Sequence, residues 1–220
     1  MGVILAREMV KRHPGATFVA DVKSTGLFAS DPELRAAGAR ADYWKTGHSH
    51  MKRRVRELGA LAGFEKSGHY FLAPPIGRGY DDGLRVAVEI CRLLDANAGR
   101  ALSELRAALP PSFATPTMSP ACPDEEKYDV VARLVARLEA MAAEGGSLGP
   151  RRIERVVTVN GARVMLEGGA WALVRASSNT PNLVVVCESP SSEAELRAVF
   201  EALDAVIRTE PAVGAYDQTF

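Results

Sequence analysis

Apolar residues recur at two different spacings in the first half of the chain. Ile4, Leu5, Met9 and Val10 follow the spacing of a helix that His13-Pro14-Gly15 ends, while Thr17–Val22 is a short apolar run typical of a buried strand. Further strands are predicted at 41–44, 60–64 and 69–72, and further helices at 31–38, 49–58 and 81–97. This alternation predicts an α/β domain, a layered sheet covered by helices.

The second half has a different pattern. A helix is predicted over 124–143, capped by Asp124, with Val130, Leu134 and Leu138 on one stripe. Strands follow at 153–159, 162–166, 170–175 and 182–188, with Asn160-Gly161 as a hairpin turn. A last helix begins at a cap formed by Ser191 or Ser192. The pattern predicts a small α+β domain with a four-stranded, mainly antiparallel sheet and flanking helices.

A proline-rich segment separates the two patterns. Five prolines between Leu109 and Asp124 remove backbone donors and prevent regular helix. We expect an α/β domain over 1–111, a linker or extended crossover over 112–123, and the α+β domain over 124–220.

Composition narrows the class of protein. The 220 residues are 47% hydrophobic and 25% charged, which is typical of a globular protein, and no apolar run is long enough to span a membrane. The three cysteines are too few and too scattered for a zinc or disulfide framework, which favours a reducing, cytoplasmic location.

The net charge of zero conceals an asymmetry. Residues 1–111 carry 17 basic and 12 acidic side chains, whereas residues 112–220 carry 10 and 15. A basic half suggests an anionic ligand, although two domains with ordinary surfaces explain the same numbers. The cations of 52–56 favour a solvated helix face over nucleic-acid binding, because no nucleic-acid motif accompanies them.

Polar residues concentrate in four loops between the apolar elements, and each loop is a candidate site. Lys23 follows the first strand, where it can bind an anion or pair with Asp21. His48 follows Gly47 at the start of a helix, a position suited to a ligand or a proton transfer.

The other two loops suit sugar and phosphate. Glu65, Ser67 and His69 alternate, so an extended backbone would project them to one face, where a carboxylate and a hydroxyl can bind sugar hydroxyls. One Glu and one His are too few for a metal site. A phosphate cradle is predicted from a guanidinium and neighbouring polar groups, namely Arg175, Ser177, Ser178 and Asn179. Ordinary hairpin turns remain the alternative for both loops.

Five segments in this order resemble the α-D-phosphohexomutase family, in particular its bacterial phosphomannomutase/phosphoglucomutase group. The segments are FVADVKST at 18–25, WKTGHSHMK at 44–52, EKSGHYF at 65–71, YDDG at 80–83 and VRASSNTP at 174–181. Members of the family have four domains, and this chain resembles most of the third plus the fourth. The resemblance implies that the first strand of the third domain is missing, which would leave a sheet edge unpaired.

The resemblance also implies roles for the candidate residues. Lys23 and His48 match positions near the reacting phosphoryl group, Glu65 and Ser67 match those that bind sugar hydroxyls, and His69 matches the adjacent histidine. The loop that binds the non-reacting phosphate is matched by Arg175, Ser177, Ser178 and Asn179.

The family interconverts hexose 1- and 6-phosphates through a bisphosphate such as glucose 1,6-bisphosphate. It uses a phosphoserine and a Mg²⁺ held by an aspartate-rich loop. Neither T-x-S-H-N-P nor D-G-D-x-D-R occurs in this chain. We therefore expect it to bind a phosphorylated hexose, to hold no metal and to lack turnover alone, with the N-terminal domains as its expected partner and neither nucleic acid nor membrane among its ligands.

Departures from the family pattern leave the sugar open. Phe64 stands where glycine usually precedes the sugar-binding glutamate, Lys66 follows that glutamate, and Asn179 stands where many members have threonine. A phosphoglucosamine mutase fragment, a non-catalytic phosphosugar-binding module and half of a split enzyme remain alternatives.

Overall fold

The computed structural model describes all of residues 1–220 and contains two compact units, Met1–Pro110 and Pro111–Phe220. The first unit contains the helices α1 (Gly2–Arg12), α2 (Leu27–Ser30), α3 (Pro32–Ala36), α4 (His48–Glu57), α5 (Gly83–Ala96) and α6 (Leu102–Ala107) and the strands β1 (Thr17–Asp21), β2 (Arg40–Trp44), β3 (Ala62–Phe64) and β4 (Tyr70–Leu72).

The four strands of the first unit form one sheet in the order β2-β1-β3-β4. Strand β1 is parallel to both β2 and β3, and β4 is antiparallel to β3. Alternate residues of β1 enter different cores, since Phe18 packs with residues of α1 and Val19 packs with Met51 and Val55 of α4. Helices therefore cover both faces of the sheet, which confirms the predicted layered α/β domain.

The second unit contains the helices α7 (Lys127–Ala143) and α8 (Glu193–Ile207) and the strands β5 (Phe113–Ala114), β6 (Ser147–Leu148), β7 (Arg151–Val157), β8 (Ala162–Leu166), β9 (Trp171–Ala176) and β10 (Leu183–Ser189). Its sheet is antiparallel throughout, in the order β5-β10-β9-β8-β7-β6. Leu134 of α7 and Leu203 of α8 share its core with Val174 of β9.

Two details of the second unit differ from expectation. The sheet has six strands, because the short strands β5 and β6 extend the four predicted ones at either edge. The cap at Asp124 is wrong: its Oδ1 binds Lys127 Nζ at 2.5 Å, and the helix begins at Lys127. The alternative of Ser192 as the cap of α8 is confirmed, since its Oγ accepts a hydrogen bond from Glu195 N–H.

The proline-rich segment runs beside β10. Phe113 and Ala114 pair with Ser189 and Glu188, and Met118 forms a bridge with Val185. Much of the segment expected to be a linker thus contributes hydrogen bonds to the sheet of the second unit. None of the helices is both long enough and apolar enough to span a bilayer.

Candidate functional site

Three of the four polar loops meet at one edge of the first sheet. They follow β1, β2 and β3, which run parallel, so their carboxyl ends lie on the same side. This is the edge at which open α/β sheets bind ligands. The topology therefore brings together the loops that carry Lys23, His48 and the group Glu65, Ser67 and His69.

Asp21, the last residue of β1, connects these loops. Its side chain is fully buried. It accepts hydrogen bonds from Ser24 Oγ at 2.6 Å, from Thr46 Oγ1 at 3.0 Å and from the backbone N–H of Lys66 at 3.2 Å. One carboxylate therefore joins the loops after β1, β2 and β3. The sequence interpretation considered Asp21 only as a partner of Lys23, although a carboxylate that ends an apolar strand is itself a signal.

Lys23 adopts the local pairing that was one of the two alternatives for it. Its Nζ lies 3.7 Å from Asp21 Oδ2, and its side chain is mostly buried. A single positive charge thus lies beside the carboxylate that joins the loops.

Glu65 and Ser67 lie in a turn between β3 and β4. Glu65 is buried, its Oε1 accepts a hydrogen bond from the N–H of Gly47 at 2.7 Å, and Ser67 Oγ donates to its Oε2 at 3.3 Å. The N–H of Gly68 donates to the carbonyl of Glu65 and closes the turn. The amide at the start of α4 therefore fixes the carboxylate, while Ser67 stays exposed.

Phe64 leaves this turn undisturbed. Its ring is buried and packs with the rings of Phe28 and Tyr70 at centroid distances of 5.1 Å. Burial raises the pKa of Tyr70. The departure from glycine at position 64 thus adds an aromatic side chain to the core.

His48 and His69 come together although 20 residues separate them in the sequence. Their ring centroids are 4.5 Å apart, and His69 Nδ1 lies 2.7 Å from Asp81 Oδ2. Asp81 belongs to the YDDG segment, for which the sequence interpretation gave no individual role. Pairings over such separations leave no periodic pattern in the sequence.

Two arginines that follow His48 on α4 form ion pairs with nearby carboxylates. Arg54 binds Asp42 through Nε and Nη2, and its guanidinium lies 4.0 Å from the centroid of the Trp44 ring. The hydrogen bond to Asp42 raises the pKa of Arg54. Arg53 Nε lies 3.7 Å from Glu57. These contacts are those of a helix surface with local ion pairs.

The fourth loop connects β9 to β10 in the second unit. Arg175 and Ser177 are buried, whereas Ser178 and Asn179 are exposed. Ser177 Oγ accepts a hydrogen bond from the N–H of Asn179 at 3.4 Å and lies 2.8 Å from Thr180 Oγ1. The loop is therefore a turn braced by its own hydroxyl groups, with exposed polar groups at its tip.

Lys127 donates a hydrogen bond to this turn. It was not identified as a candidate from the sequence. Its Nζ donates to the carbonyl of Thr180 at 3.0 Å as well as to Asp124. Lys127 is only 2% exposed. A buried cation at the first residue of α7 thus holds a loop 53 residues further along the chain.

Both halves of the chain match models of one protein family. Residues 1–113 match phosphoglucomutase/phosphomannomutase, alpha/beta/alpha domain III, and residues 121–206 match the phosphoglucomutase/phosphomannomutase C-terminal domain. With this sheet, these loops and both matches, the chain belongs to the phosphoglucomutase/phosphomannomutase family of phosphohexomutases.

Curated members of this family are similar in sequence to the chain. The chain is 32% identical to phosphomannomutase/phosphoglucomutase of Pseudomonas putida and 33% identical to phosphoglucomutase of Neisseria meningitidis. Each alignment covers 95% of this chain and 42% of the relative. The chain therefore spans less than half the length of these relatives.

A solved structure has the same architecture. The chain superposes on a phosphoglucomutase/phosphomannomutase family protein of Burkholderia thailandensis with a TM-score of 0.75 and 29% identity. The match covers 97% of this chain and 42% of that structure.

The family's Mg²⁺ does not fit the donor groups gathered here. His48, His69 and Asp81 offer two imidazole nitrogens and one carboxylate, whereas Mg²⁺ is bound through oxygen. The aspartate-rich segment that binds this ion in the family is also absent from the sequence.

Proposed function

We propose that this chain is the C-terminal part of a phosphomannomutase/phosphoglucomutase, which interconverts hexose 6-phosphate and hexose 1-phosphate through a bisphosphate. In this proposal residues 1–111 bind the hexose and residues 124–220 bind its non-reacting phosphate. The phosphoryl donor and the metal come from N-terminal domains of the kind that the longer relatives contain.

The observation that carries the proposal is the fixed pair of Glu65 and Ser67. The Gly47 amide orients the carboxylate, and Ser67 Oγ lies beside it. A carboxylate can accept about four hydrogen bonds, so Glu65 retains acceptor capacity for two neighbouring sugar hydroxyls. Ser67 can donate or accept, which suits a hexose that binds in two opposite orientations.

The loop of Arg175 supports the second half of the proposal. Arg175 offers a planar guanidinium, whose geometry matches a phosphate. Ser177 braces the turn, so the hydroxyl of Ser178 and the amide of Asn179 are held at its exposed tip. A phosphate bound here would stay in place while the other end of the sugar reacts.

Three side chains at the sheet edge would assist binding of the phosphorylated sugar, namely Lys23, His48 and His69. Lys23 would lower the free energy of a negatively charged phosphoryl group, and His48 and His69 would donate hydrogen bonds to it or to the sugar. These roles rest on the family resemblance and on the position of all three side chains at the carboxyl edge of the sheet.

Calorimetric titration with glucose 1,6-bisphosphate tests this proposal. The chain should bind one molecule. Arg175→Ala should weaken binding at least tenfold, since a hydrogen bond to a charged group contributes about 1.5–3 kcal/mol. Arg137→Ala, an exposed arginine on α7, is the matched control and should bind as the unmodified chain does. No heat from a folded chain, or equal losses in both variants, would contradict the proposal.

Turnover assays separate this proposal from its alternatives. The chain alone should show no mutase activity in a coupled assay. Activity on mixing with the N-terminal half of a relative would support the proposal and its split-enzyme form, whereas bisphosphate binding that still gives no activity after mixing would support a non-catalytic module.

The sugar can be assigned in the same titration. The chain is 30% identical to a probable phosphoglucosamine mutase of Methanopyrus kandleri, a similarity that covers 94% of this chain and 42% of that protein. Mannose 1-phosphate, glucose 1-phosphate and glucosamine 1-phosphate should therefore be compared. Preference for the amino sugar would favour the phosphoglucosamine mutase alternative.

A further inference from the structure

Two histidines and one aspartate converge on a single point at the sheet edge. His69 Nδ1 lies 2.7 Å and His48 Nε2 lies 3.9 Å from Asp81 Oδ2. The three donor atoms lie within 4.8 Å of one another. They come from different elements: His48 begins α4, His69 precedes β4, and Asp81 lies just before α5.

We propose that His48, His69 and Asp81 bind a divalent transition-metal ion of the zinc class. Zinc binds imidazole nitrogen and carboxylate oxygen at about 2.0–2.2 Å, so its tetrahedral ligand atoms lie roughly 3.3–3.5 Å apart. The separations here bracket that value, and small side-chain rotations would bring the three atoms to it.

The surrounding structure already orients two of the three ligands. Asp81 Oδ1 accepts a hydrogen bond from the N–H of Tyr70 at 3.2 Å, which leaves Oδ2 directed at the histidines. The His48 ring packs edge-on against the fully buried ring of Phe71 at 5.3 Å. Such second contacts are typical of metal sites, where they limit ligand motion.

The donor set decides the class of ion. Imidazole with carboxylate suits Zn²⁺, Co²⁺ or Ni²⁺, while Mg²⁺ and Ca²⁺ prefer oxygen alone. The side chains of His48, His69 and Asp81 are 49%, 46% and 28% exposed, so solvent can reach the open coordination position. Three protein ligands with one position open to solvent is a common zinc arrangement.

The test of this proposal measures the ion directly. An untagged, metal-free chain is titrated with Zn²⁺ by calorimetry and with Co²⁺ by visible absorption. We expect one ion per chain and a Co²⁺ spectrum without thiolate bands. Excess Mg²⁺ should leave both titrations unchanged.

Variants locate the site. His48→Gln, His69→Gln and Asp81→Asn should each weaken Zn²⁺ binding at least tenfold. His13→Gln, at the end of α1, and Cys91→Ser, the exposed cysteine, are the matched controls and should bind as before. Circular dichroism without metal confirms that each variant is folded.

The proposal would be overturned if the double variant His48→Gln/His69→Gln still bound Zn²⁺, or if either control variant lost binding. It would also be overturned if the unmodified chain bound no Zn²⁺. The hexose titration is run without metal and gives a separate result. Failure of the metal site therefore leaves the phosphosugar proposal untouched, and the reverse also holds.

Discussion

A single buried carboxylate organises the first candidate site. Asp21 accepts hydrogen bonds from groups of all three loops and is fully buried. A buried charge is tolerated in a protein interior when hydrogen bonds replace its hydration. Asp21 is therefore a positioning residue, which acts through the loops that carry Lys23, His48 and Glu65.

The first prediction concerns this residue. Asp21→Asn replaces one acceptor oxygen with an NH₂ group, so that either Thr46, bound to Oδ2, or Ser24 and Lys66, both bound to Oδ1, lose their acceptor. The free energy of unfolding should fall by about 2 kcal/mol, in the range for hydrogen bonds to a charged group. Urea denaturation measures this loss.

Asp42→Asn is the control for that experiment. Asp42 is a partly exposed aspartate on the neighbouring strand, and it pairs with Arg54. Its loss should cost less than about 1 kcal/mol, as for a surface ion pair. Equal costs for the two variants would contradict the organising role of Asp21.

A second prediction, at Tyr216, concerns how the free energy of unfolding depends on pH. Tyr216 donates a hydrogen bond to Asp204 Oδ1 at 2.8 Å, and burial together with that carboxylate raises the pKa of Tyr216. A tyrosine in the unfolded chain ionises at about pH 10. Above that pH, Tyr216 of the unfolded state loses a proton that Tyr216 of the folded state keeps. This contribution to stability is complete below about pH 10 and is lost as the pH rises further.

Tyr216→Phe removes this effect. Between about pH 9 and 11 the unmodified chain should lose stability more steeply than the variant, as thermal melts across that range would show. Parallel losses in the two proteins would mean that Tyr216 titrates normally.

The sequence indicated candidate residues but few of their partners. Glu65 and Ser67 could be proposed together because they are close in the sequence. Asp81 and Lys127 could not, since their partners lie 12 and 53 residues away. Only the fold shows which loops share an edge.

At the scale of elements, the predicted strand 162–166 and the cap at Ser192 agree with the structure. Four short elements are not predicted by the sequence pattern: α2 and α6, which have four and six residues, and β5 and β6, which have two each. Such short elements depend on their neighbours and carry little periodicity. Asp124 is not the cap because α7 begins at Lys127, which places Glu126 at the capping position.

The hairpin between β7 and β8 gives an element-scale prediction. Gly161 has a φ of +74°, and a Cβ there would lie 2.2 Å from the carbonyl oxygen of Val174 and 2.6 Å from Arg175 Cβ. Gly161→Ala should therefore cost more than about 1 kcal/mol and displace Arg175, which would weaken phosphate binding. Chemical denaturation and the bisphosphate titration measure the two effects.

Gly169→Ala is the control, because it introduces the backbone strain of a positive φ without a close contact to Arg175. Gly169 also has a positive φ, +89°, but its Cβ would meet only Pro190 Cγ, at an ordinary 3.7 Å. This variant should lose some stability and retain phosphate binding. Equal binding by the two variants would show that the close approach at Gly161 does not position Arg175.

At the scale of the whole molecule, the zero net charge is a sum over halves of opposite sign. The acidic half nevertheless carries Arg175 and the candidate phosphate loop. Net charge therefore did not indicate the candidate phosphate loop, whereas the local segment 174–181 did. Each unit has its own apolar core, and each matches one domain of the same family.

In the proposed function, the turn of Glu65 binds the hydroxyl groups of a hexose and the loop of Arg175 binds a phosphate. Backbone amide NMR of the isotopically labelled chain, titrated with glucose 1,6-bisphosphate, tests both assignments most directly. We expect shifts at Gly47, at residues 65–69 and at residues 177–180, with the rest of the chain little changed. Shifts confined to other regions, or no shifts at saturating ligand, would contradict it.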